Sequence, residues 1–214
     1  MNVLIACEES QRVCGAFRAK GHEAYSCDIQ EPSGGHPEWH ILGDVLPILR
    51  GGQFVTMDGT THFIEKWDMI IAHPPCTYLS NAGANHLFKR IDGESYIKKS
   101  RFELGLDAKE FFMNFYNCDC EKIAIENSTP SGIYRLPKYT QAIQPYWFGE
   151  PYSKRTCLWL KGLPKLEPTN IVEPIASWVN CRQRKENGGV AFRDSKTRSK
   201  TFMGIANAMA SQWG

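Results

Sequence analysis

The sequence lacks any long run of apolar residues. No stretch of its 214 residues approaches the roughly 18 uncharged apolar residues that a membrane-spanning helix needs, so we expect no membrane span. The start, MNVLIACEES, has no basic region before its short apolar run and is typical of a first β-strand rather than a signal peptide. With 42% hydrophobic and 22% charged residues, the composition excludes extended disorder and fits one globular domain.

The sequence also lacks the paired cysteines of a disulfide or zinc framework. Its eight cysteines are scattered, and only Cys118 and Cys120 lie close together. Without an export signal, this pattern favours reduced thiols and a cytoplasmic location. A lone Cys-x-Cys has no second pair, and His36 and His40 lie in a loop rich in proline and glycine. We therefore expect no bound metal.

The net charge of +2 conceals an uneven distribution. Residues 1–150 contain 14 basic and 19 acidic residues, whereas residues 151–214 contain 11 basic and 4 acidic residues. A basic C-terminal third is typical of a solvated tail or of a surface that binds an anionic partner such as nucleic acid. On the second interpretation, the residues predicted to contact phosphates are Arg182, Arg184, Lys185, Arg193, Lys196, Arg198 and Lys200.

Short apolar runs alternate with helical patterns along the chain. The predicted strands are Val3–Ala6, Ala24–Cys27, Trp67–Ala72, Lys122–Ile125 and Arg155–Leu160, and the predicted helices are Ser10–Lys20, Lys98–Tyr116 and Thr201–Trp213. The long middle helix is expected to face inward with Phe102, Leu106, Phe111, Phe112 and Phe115, and the last helix with Ile205, Met209 and Trp213. The alternation predicts an α/β fold with a parallel sheet.

Polar residues stand where the predicted strands end. In chain order they are Glu8, Asp28, Asp44, Cys76 and Glu126. Ligands of open α/β sheets bind beyond the carboxyl ends of the strands, so the sequence predicts one site formed by these five residues.

Three segments contain residue types suited to catalysis. In IIAHPPCTYLS, a rigid Pro-Pro turn orients Cys76, which is either a nucleophile or a small buried thiol. In IAIENSTP, Glu126 can stay protonated beside a desolvated ring and donate to a ring nitrogen, or it can cap a helix. In YSKRTCLWL, Arg155 can bind a carbonyl or phosphate, or it can be an exposed strand-edge residue.

Together these segments resemble the cytosine-C5 methyltransferase family. Pro75-Cys76 matches its Pro-Cys motif, Glu126-Asn127 its Glu-Asn motif, and Lys154-Arg155 part of its Gln-x-Arg-x-Arg strand. Over nearly the whole chain, the sequence is similar to short phage and prophage proteins described as DNA cytosine methyltransferases. The similar segments are ACEES, DMIIAHPPCTYLS, IAIEN, QPYWFGEPYSKRTCLWLKGLP and RSKTFMGIANAMASQWG.

The resemblance implies a Rossmann-like fold that uses S-adenosylmethionine and acts on DNA in a bacterial cytoplasm. It implies a catalytic core over 1–160, a basic, loop-rich insert over 161–200 in place of a target-recognition domain, and a C-terminal helix over 201–214. The implied catalytic residues are Cys76, which adds to C6 of cytosine, Glu126, which bonds N3 and the exocyclic amine, and Arg155. The implied cofactor-binding residues are Cys7, Glu8, Asp28, Asp44 and Pro74, with Asp28 on the ribose and Asp44 near the adenine amine.

The chain departs from the family pattern in two places that matter. Residues 8–12 are EESQR where the family has a glycine-rich loop, and only about 40 residues separate Leu160 from the last helix. With so little room for a recognition domain, we expect low sequence specificity, a helper protein or a homo-oligomer. Two alternatives remain open: an inactive methylase-like protein that binds nucleic acid or a partner, and a related enzyme that modifies C5 of a pyrimidine.

Overall fold

A mostly parallel sheet forms the centre of the molecule. The computed structural model describes residues 1–178, 182–184, 190–192 and 194–214. Within these ranges, seven strands form the central sheet in the order β6-β7-β5-β4-β1-β2-β3. They are β1 (Asn2–Ala6), β2 (Glu23–Asp28), β3 (His40–Leu42), β4 (Met69–Ala72), β5 (Lys122–Ser128), β6 (Gln141–Ile143) and β7 (Thr156–Lys161).

Five neighbouring strands, from β3 across β1 to β5, run parallel, as the sequence predicted. Their order is that of a doubly wound sheet, and it reverses between β1 and β4. The strand predicted at Arg155–Leu160 is present as β7, but it runs antiparallel to both β5 and β6, where the sequence predicted a parallel sheet. The connection from β6 to β7 contains no α-helix, and an antiparallel pair needs none.

The remaining elements surround this sheet. The helices of the described ranges are α1 (Arg12–Arg18), α2 (Asn81–Ala84), α3 (Lys99–Tyr116), α4 (Ser195–Ser199) and α5 (Met203–Trp213). Two-stranded pairs join Gly52–Val55 to Thr61–Ile64, Phe88–Ile91 to Glu94–Ile97, Tyr152–Ser153 to Ala176–Ser177 and Arg182–Arg184 to Val190–Phe192. Short 3-10 turns lie at Pro37–Trp39, Leu46–Ile48, Gly132–Tyr134 and Pro145–Trp147.

Both faces of the sheet are buried, which explains why its strands are apolar throughout rather than alternating. On one face, Leu4 of β1 belongs to a cluster with Phe112 and Phe115 of α3. On the other face, Val3 and Ile5 pack in a cluster with residues of α1 and α5. As predicted, α5 buries Ile205, Met209 and Trp213. No helix of the described ranges is long and apolar enough to span a membrane.

The inward face of α3 differs from the prediction at one position. Phe112 and Phe115 are fully buried, but Leu106 is 45% exposed. The buried stripe passes instead through Gly105, where the Tyr134 ring occupies the space that a side chain would fill. Glycine has no apolar side chain to mark the buried face of a helix. The pattern of apolar residues therefore predicted that the neighbouring Leu106 would be buried.

Candidate active site

A cavity of about 930 Å³ lies beyond the carboxyl ends of the parallel strands, where the strand order reverses. All five strand-end residues of the sequence prediction line it: Glu8, Asp28, Asp44, Cys76 and Glu126. Cys7 and Pro74, the other predicted cofactor residues, line it as well. The volume falls within the range of small-molecule and cofactor sites.

The loop after β1 makes its turn without glycine. Cys7 has a φ of 59° and Gln11 a φ of 56°, a left-handed conformation that costs a non-glycine residue roughly 1–3 kcal/mol. The backbone N–H of Cys7 donates to the carbonyl of Cys27 at 2.7 Å, which ties the loop to the end of β2. The absence of a glycine-rich motif therefore did not prevent a tight turn at this strand end.

Glu8 uses its carboxylate to cap α1. Oε1 accepts a hydrogen bond from the N–H of Val13 at 2.7 Å, and Oε2 accepts one from Cys14 at 3.1 Å. Burial raises the pKa of Glu8, while the charge of His73 and these backbone donors oppose the rise. The residue predicted to bind a cofactor thus also holds the first helix in place.

Glu9 is buried beside the cavity, and neither of its carboxylate oxygens accepts a hydrogen bond from any described residue. The nearest cations are Lys200, whose Nζ lies 3.6 Å from Oε1, and Lys196, whose Nζ lies 3.9 Å from Oε2. Lys200 also donates to Oγ of Ser33 at 2.7 Å. These two lysines, predicted to contact DNA phosphates, lie against a buried carboxylate at the cavity wall.

The other predicted phosphate contacts are distributed differently. Arg198 lines the cavity, and its carbonyl accepts a hydrogen bond from Lys154. Arg182 and Arg184 belong to the strand Arg182–Arg184. Lys185 and Arg193 lie outside the described residues.

The Pro-Pro turn presents Cys76 as an exposed thiol on the cavity wall. The turn is held from two sides: the N–H of His73 donates to the carbonyl of Ala6, and Nδ2 of Asn127 donates to the carbonyl of Pro74 at 2.9 Å. The sequence prediction ended the Glu126 strand at Ile125, but β5 continues to Ser128 because β7 pairs with it across that stretch. Glu126 and Asn127 are therefore fixed by the sheet itself.

Glu126 forms a buried ion pair with His73. Nδ1 of His73 lies 3.0 Å from Oε2 of Glu126, and the hydroxyl of Thr201 donates to the same oxygen at 3.0 Å. Burial alone would raise the pKa of Glu126, but the hydrogen bond and charge of His73, with smaller effects of Lys154 and Thr201, lower it to about 2. A pKa this low favours the ionised carboxylate in the free protein, whereas the protonated form predicted from the sequence concerns a site with a ring bound beside Glu126.

Lys154, and not Arg155, contributes a cation to the cavity wall. The ammonium of Lys154 donates to the carbonyl of Arg198 at 3.0 Å, and its charge acts on Glu126. The side chain of Arg155 is exposed and donates to the hydroxyl of Tyr139 at 2.8 Å. Of these two neighbouring cations, only one lines the cavity. The motif did not indicate which one.

Three further cavity residues were missed by sequence reasoning: His73, Lys154 and Thr201. The candidate metal ligands give no cluster, since no group of three or more His, Cys, Asp or Glu in the described ranges is placed to hold a metal ion. His36 instead bonds Glu38 and stacks on Trp39, and the thiols of Cys118 and Cys120 donate to backbone carbonyls.

Comparison with known proteins gives a structural likeness without a sequence family. The sequence matches no protein-family model and no curated protein. Among solved structures, it resembles the methyltransferase EhMeth of Entamoeba histolytica with a TM-score of 0.48 and 11% identity. The alignment covers 80% of this chain and 57% of that chain, so this chain spans little more than half of the length of that structure. Identity this low assigns no activity.

Proposed function

We propose that the protein is an S-adenosylmethionine-dependent methyltransferase that acts on C5 of cytosine in DNA, with Cys76 as the nucleophile. The observation that supports this proposal is the meeting of an exposed thiol, a buried carboxylate and several further carboxylates around one cavity at the switch point of the sheet. The motif resemblance had implied these residues one by one, and the fold brings them together.

The acidic side of the cavity fits the cofactor. S-adenosylmethionine carries a sulfonium cation, an amino group and ribose hydroxyls, all of which a carboxylate can bind. Glu9 has a buried carboxylate that accepts no hydrogen bond within the described ranges, and its ion pairs to Lys196 and Lys200 are long, so its oxygens are free to accept hydrogen bonds from a ligand. Asp28 is the last residue of β2, where the sheets of dinucleotide-binding proteins bind a ribose, and Asp44 follows β3. When bound, the cofactor would supply an electrophilic methyl group.

The opposite side of the cavity fits the pyrimidine. The sulfur of Cys76 would add to C6, and Glu126 would bond N3 and the exocyclic amine as negative charge develops there. Lys154 is placed to balance this charge in the role that the sequence had given to Arg155. A target base must leave the duplex stack to reach Cys76, and the basic residues Arg101, Lys196 and Arg198 at the cavity are suited to the flanking phosphates.

Nucleoside mass spectrometry and covalent trapping test the proposal together. The protein is incubated with S-adenosylmethionine and either duplex or single-stranded DNA, and the DNA is digested to nucleosides for mass spectrometry. We expect 5-methylcytosine among the products. DNA that contains 5-fluorocytosine should form a denaturation-resistant adduct with the wild type and not with Cys76→Ser. Cys118→Ser is the matched control, because the Cys118 thiol is buried and its hydrogen bond in the described residues goes to a backbone carbonyl.

Three other results would contradict the proposal or favour one of its alternatives. An adduct that survives Cys76→Ser contradicts the role of Cys76. A modified cytosine of different mass indicates a related C5-modifying enzyme. Cofactor binding by calorimetry without any modified base, in either form of DNA, favours the inactive binding protein.

A further inference from the structure

One carboxylate oxygen of the candidate active site has two side-chain donors from distant parts of the chain. Oε2 of Glu126 is 3.0 Å from Nδ1 of His73 and 3.0 Å from Oγ1 of Thr201, and these two donors are 3.5 Å from each other. His73 comes directly after β4, Glu126 lies in β5, and Thr201 precedes α5. The three residues form one buried hydrogen-bond network at the cavity wall.

The imidazole of His73 makes its hydrogen bonds in the described residues through Nδ1, to Glu126 at 3.0 Å and at 3.5 Å to Thr201. Its Nε2 is buried and unbonded, so the ring is tied to the site through Nδ1 alone. The charged groups that act on the ring come from three elements: Glu126 in β5, Glu8 in the loop after β1, and Lys154 before β7. Two carboxylates against one ammonium favour a cationic imidazolium at this position.

We propose that His73 is a positioning residue that stores one proton for Glu126 and returns it when a pyrimidine is attacked. The inference rests on the function proposed above and adds the source of the proton. It gives the histidine in the HPPC segment a role that no motif of the sequence assigns.

The proton moves from His73 through Glu126 to the base. On this proposal, the free site holds the proton on Nδ1 of His73 and Glu126 is a carboxylate, with 3.0 Å between Nδ1 and Oε2. As the bond between the Cys76 sulfur and C6 forms, the C5–C6 double bond shifts to C4–C5 and N3 takes up an electron pair. Glu126 takes the proton of His73, which becomes neutral, and passes that proton to N3. When Cys76 leaves C6 at the end of the reaction, the proton returns from N3 to the pair by the same path.

The direction of the pKa shifts agrees with this arrangement. Burial lowers the pKa of His73, but the hydrogen bond and charge of Glu126 and the charge of Glu8 outweigh burial and raise it above its ordinary value. The pair therefore loses this proton at a higher pH than an ordinary imidazole does. Activity that depends on the stored proton should fall at the same point.

His73→Asn separates proton storage from simple positioning. Asparagine can still donate an N–H to Glu126 but cannot hold a titratable proton, so the proton must then be on Glu126 itself. We expect methyl transfer to fall by at least about 10-fold at pH 8 and to recover substantially at pH 6, which shifts the alkaline limb of the pH profile to lower pH. Thr201→Val is the matched control, because it removes the other donor to Oε2 and should lower activity equally at every pH. A pH-independent loss in His73→Asn would overturn the inference.

A second measurement needs no turnover. Nitrogen-15 NMR of the imidazole groups in the free protein should find His73 protonated at Nδ1 at pH 7, with a pKa above the ordinary value of about 6.5, and Glu126→Gln should lower that pKa. A neutral His73 at pH 7 contradicts the inference whether or not the protein methylates DNA. A protonated His73 in a protein that methylates nothing supports the stored proton and counts against the proposed function alone.

Discussion

Asn127 donates a hydrogen bond from Nδ2 to the carbonyl of Pro74 at 2.9 Å, and this contact joins β5 to the turn that presents Cys76. Both residues are buried, so the contact is shielded from water. It explains why an asparagine follows the candidate catalytic glutamate: one residue of the strand lines the cavity, and the next fixes the adjacent turn.

Removal of this contact should affect activity more than stability. Asn127→Ala leaves the carbonyl of Pro74 without its donor, and we expect a loss of about 1–2 kcal/mol in the free energy of unfolding, measured by urea denaturation. Trapping with 5-fluorocytosine should fall by more than this loss explains, because the thiol of Cys76 is no longer held in place. Asn114→Ala, which removes an exposed bond to a helix carbonyl, should alter neither measurement. Full trapping by Asn127→Ala would contradict the positioning role.

Glu9→Gln should weaken cofactor binding. If the buried Glu9 carboxylate binds the cationic part of S-adenosylmethionine, removal of its charge should raise the Kd by about 10-fold, or about 1.4 kcal/mol, in isothermal titration calorimetry. Glu9→Gln also removes the ion pairs to Lys196 and Lys200, so the stability of the free variant is measured beside its affinity, by urea denaturation. Glu38→Gln is the control, because Glu38 is only partly buried and pairs with His36 away from the residues that line the cavity. Unchanged affinity in Glu9→Gln would remove Glu9 from the proposed cofactor site.

Lys154 and Arg155 are neighbours that offer a direct test of which cation serves the reaction. We expect Lys154→Met to reduce methyl transfer by at least about 10-fold, because it removes the charge that acts on Glu126 at the cavity wall. Arg155→Met, which breaks an exposed bond to Tyr139, should leave methyl transfer within about twofold of the wild type. The opposite pattern in steady-state assays would restore Arg155 to the role that its motif implied.

Parts of this site could be predicted from the sequence because they depend on local pattern. Apolar runs marked β1, β4 and β5, and the polar residue after a parallel strand reaches the carboxyl edge of the sheet. Asp28 and Cys76 could therefore be assigned to the same edge from the sequence alone. The direction of β7 could not be predicted in this way, because an apolar strand has the same composition whether it runs parallel or antiparallel.

Contacts between residues that are far apart in the sequence could not be predicted from the local pattern of apolar and polar residues. His73 and Thr201 are separated by 128 positions and meet only because α5 packs against α1 on one face of the sheet. The role of Glu8 as a helix cap was hidden for a similar reason, because a carboxylate at a strand end looks the same in the sequence whether its oxygens face a ligand or a backbone N–H. These contacts depend on tertiary packing, which a local sequence pattern does not show.

The His73–Glu126 pair should also make the stability of the protein depend on pH. Glu126 has a pKa below its ordinary value, so its contribution is present above about pH 4.5 and is lost as the pH falls toward about 2. His73 has a raised pKa, so its contribution is present below about pH 6.5 and is lost as the pH rises through the raised value. Thermal melting of the free protein should therefore show a stability maximum between these limits. Glu126→Gln should flatten both flanks of that maximum, whereas Thr201→Val, which removes one of the smaller causes of the lowered pKa of Glu126, should change only the acid flank. An alkaline flank that is unchanged in Glu126→Gln would mean that other groups control the stability there.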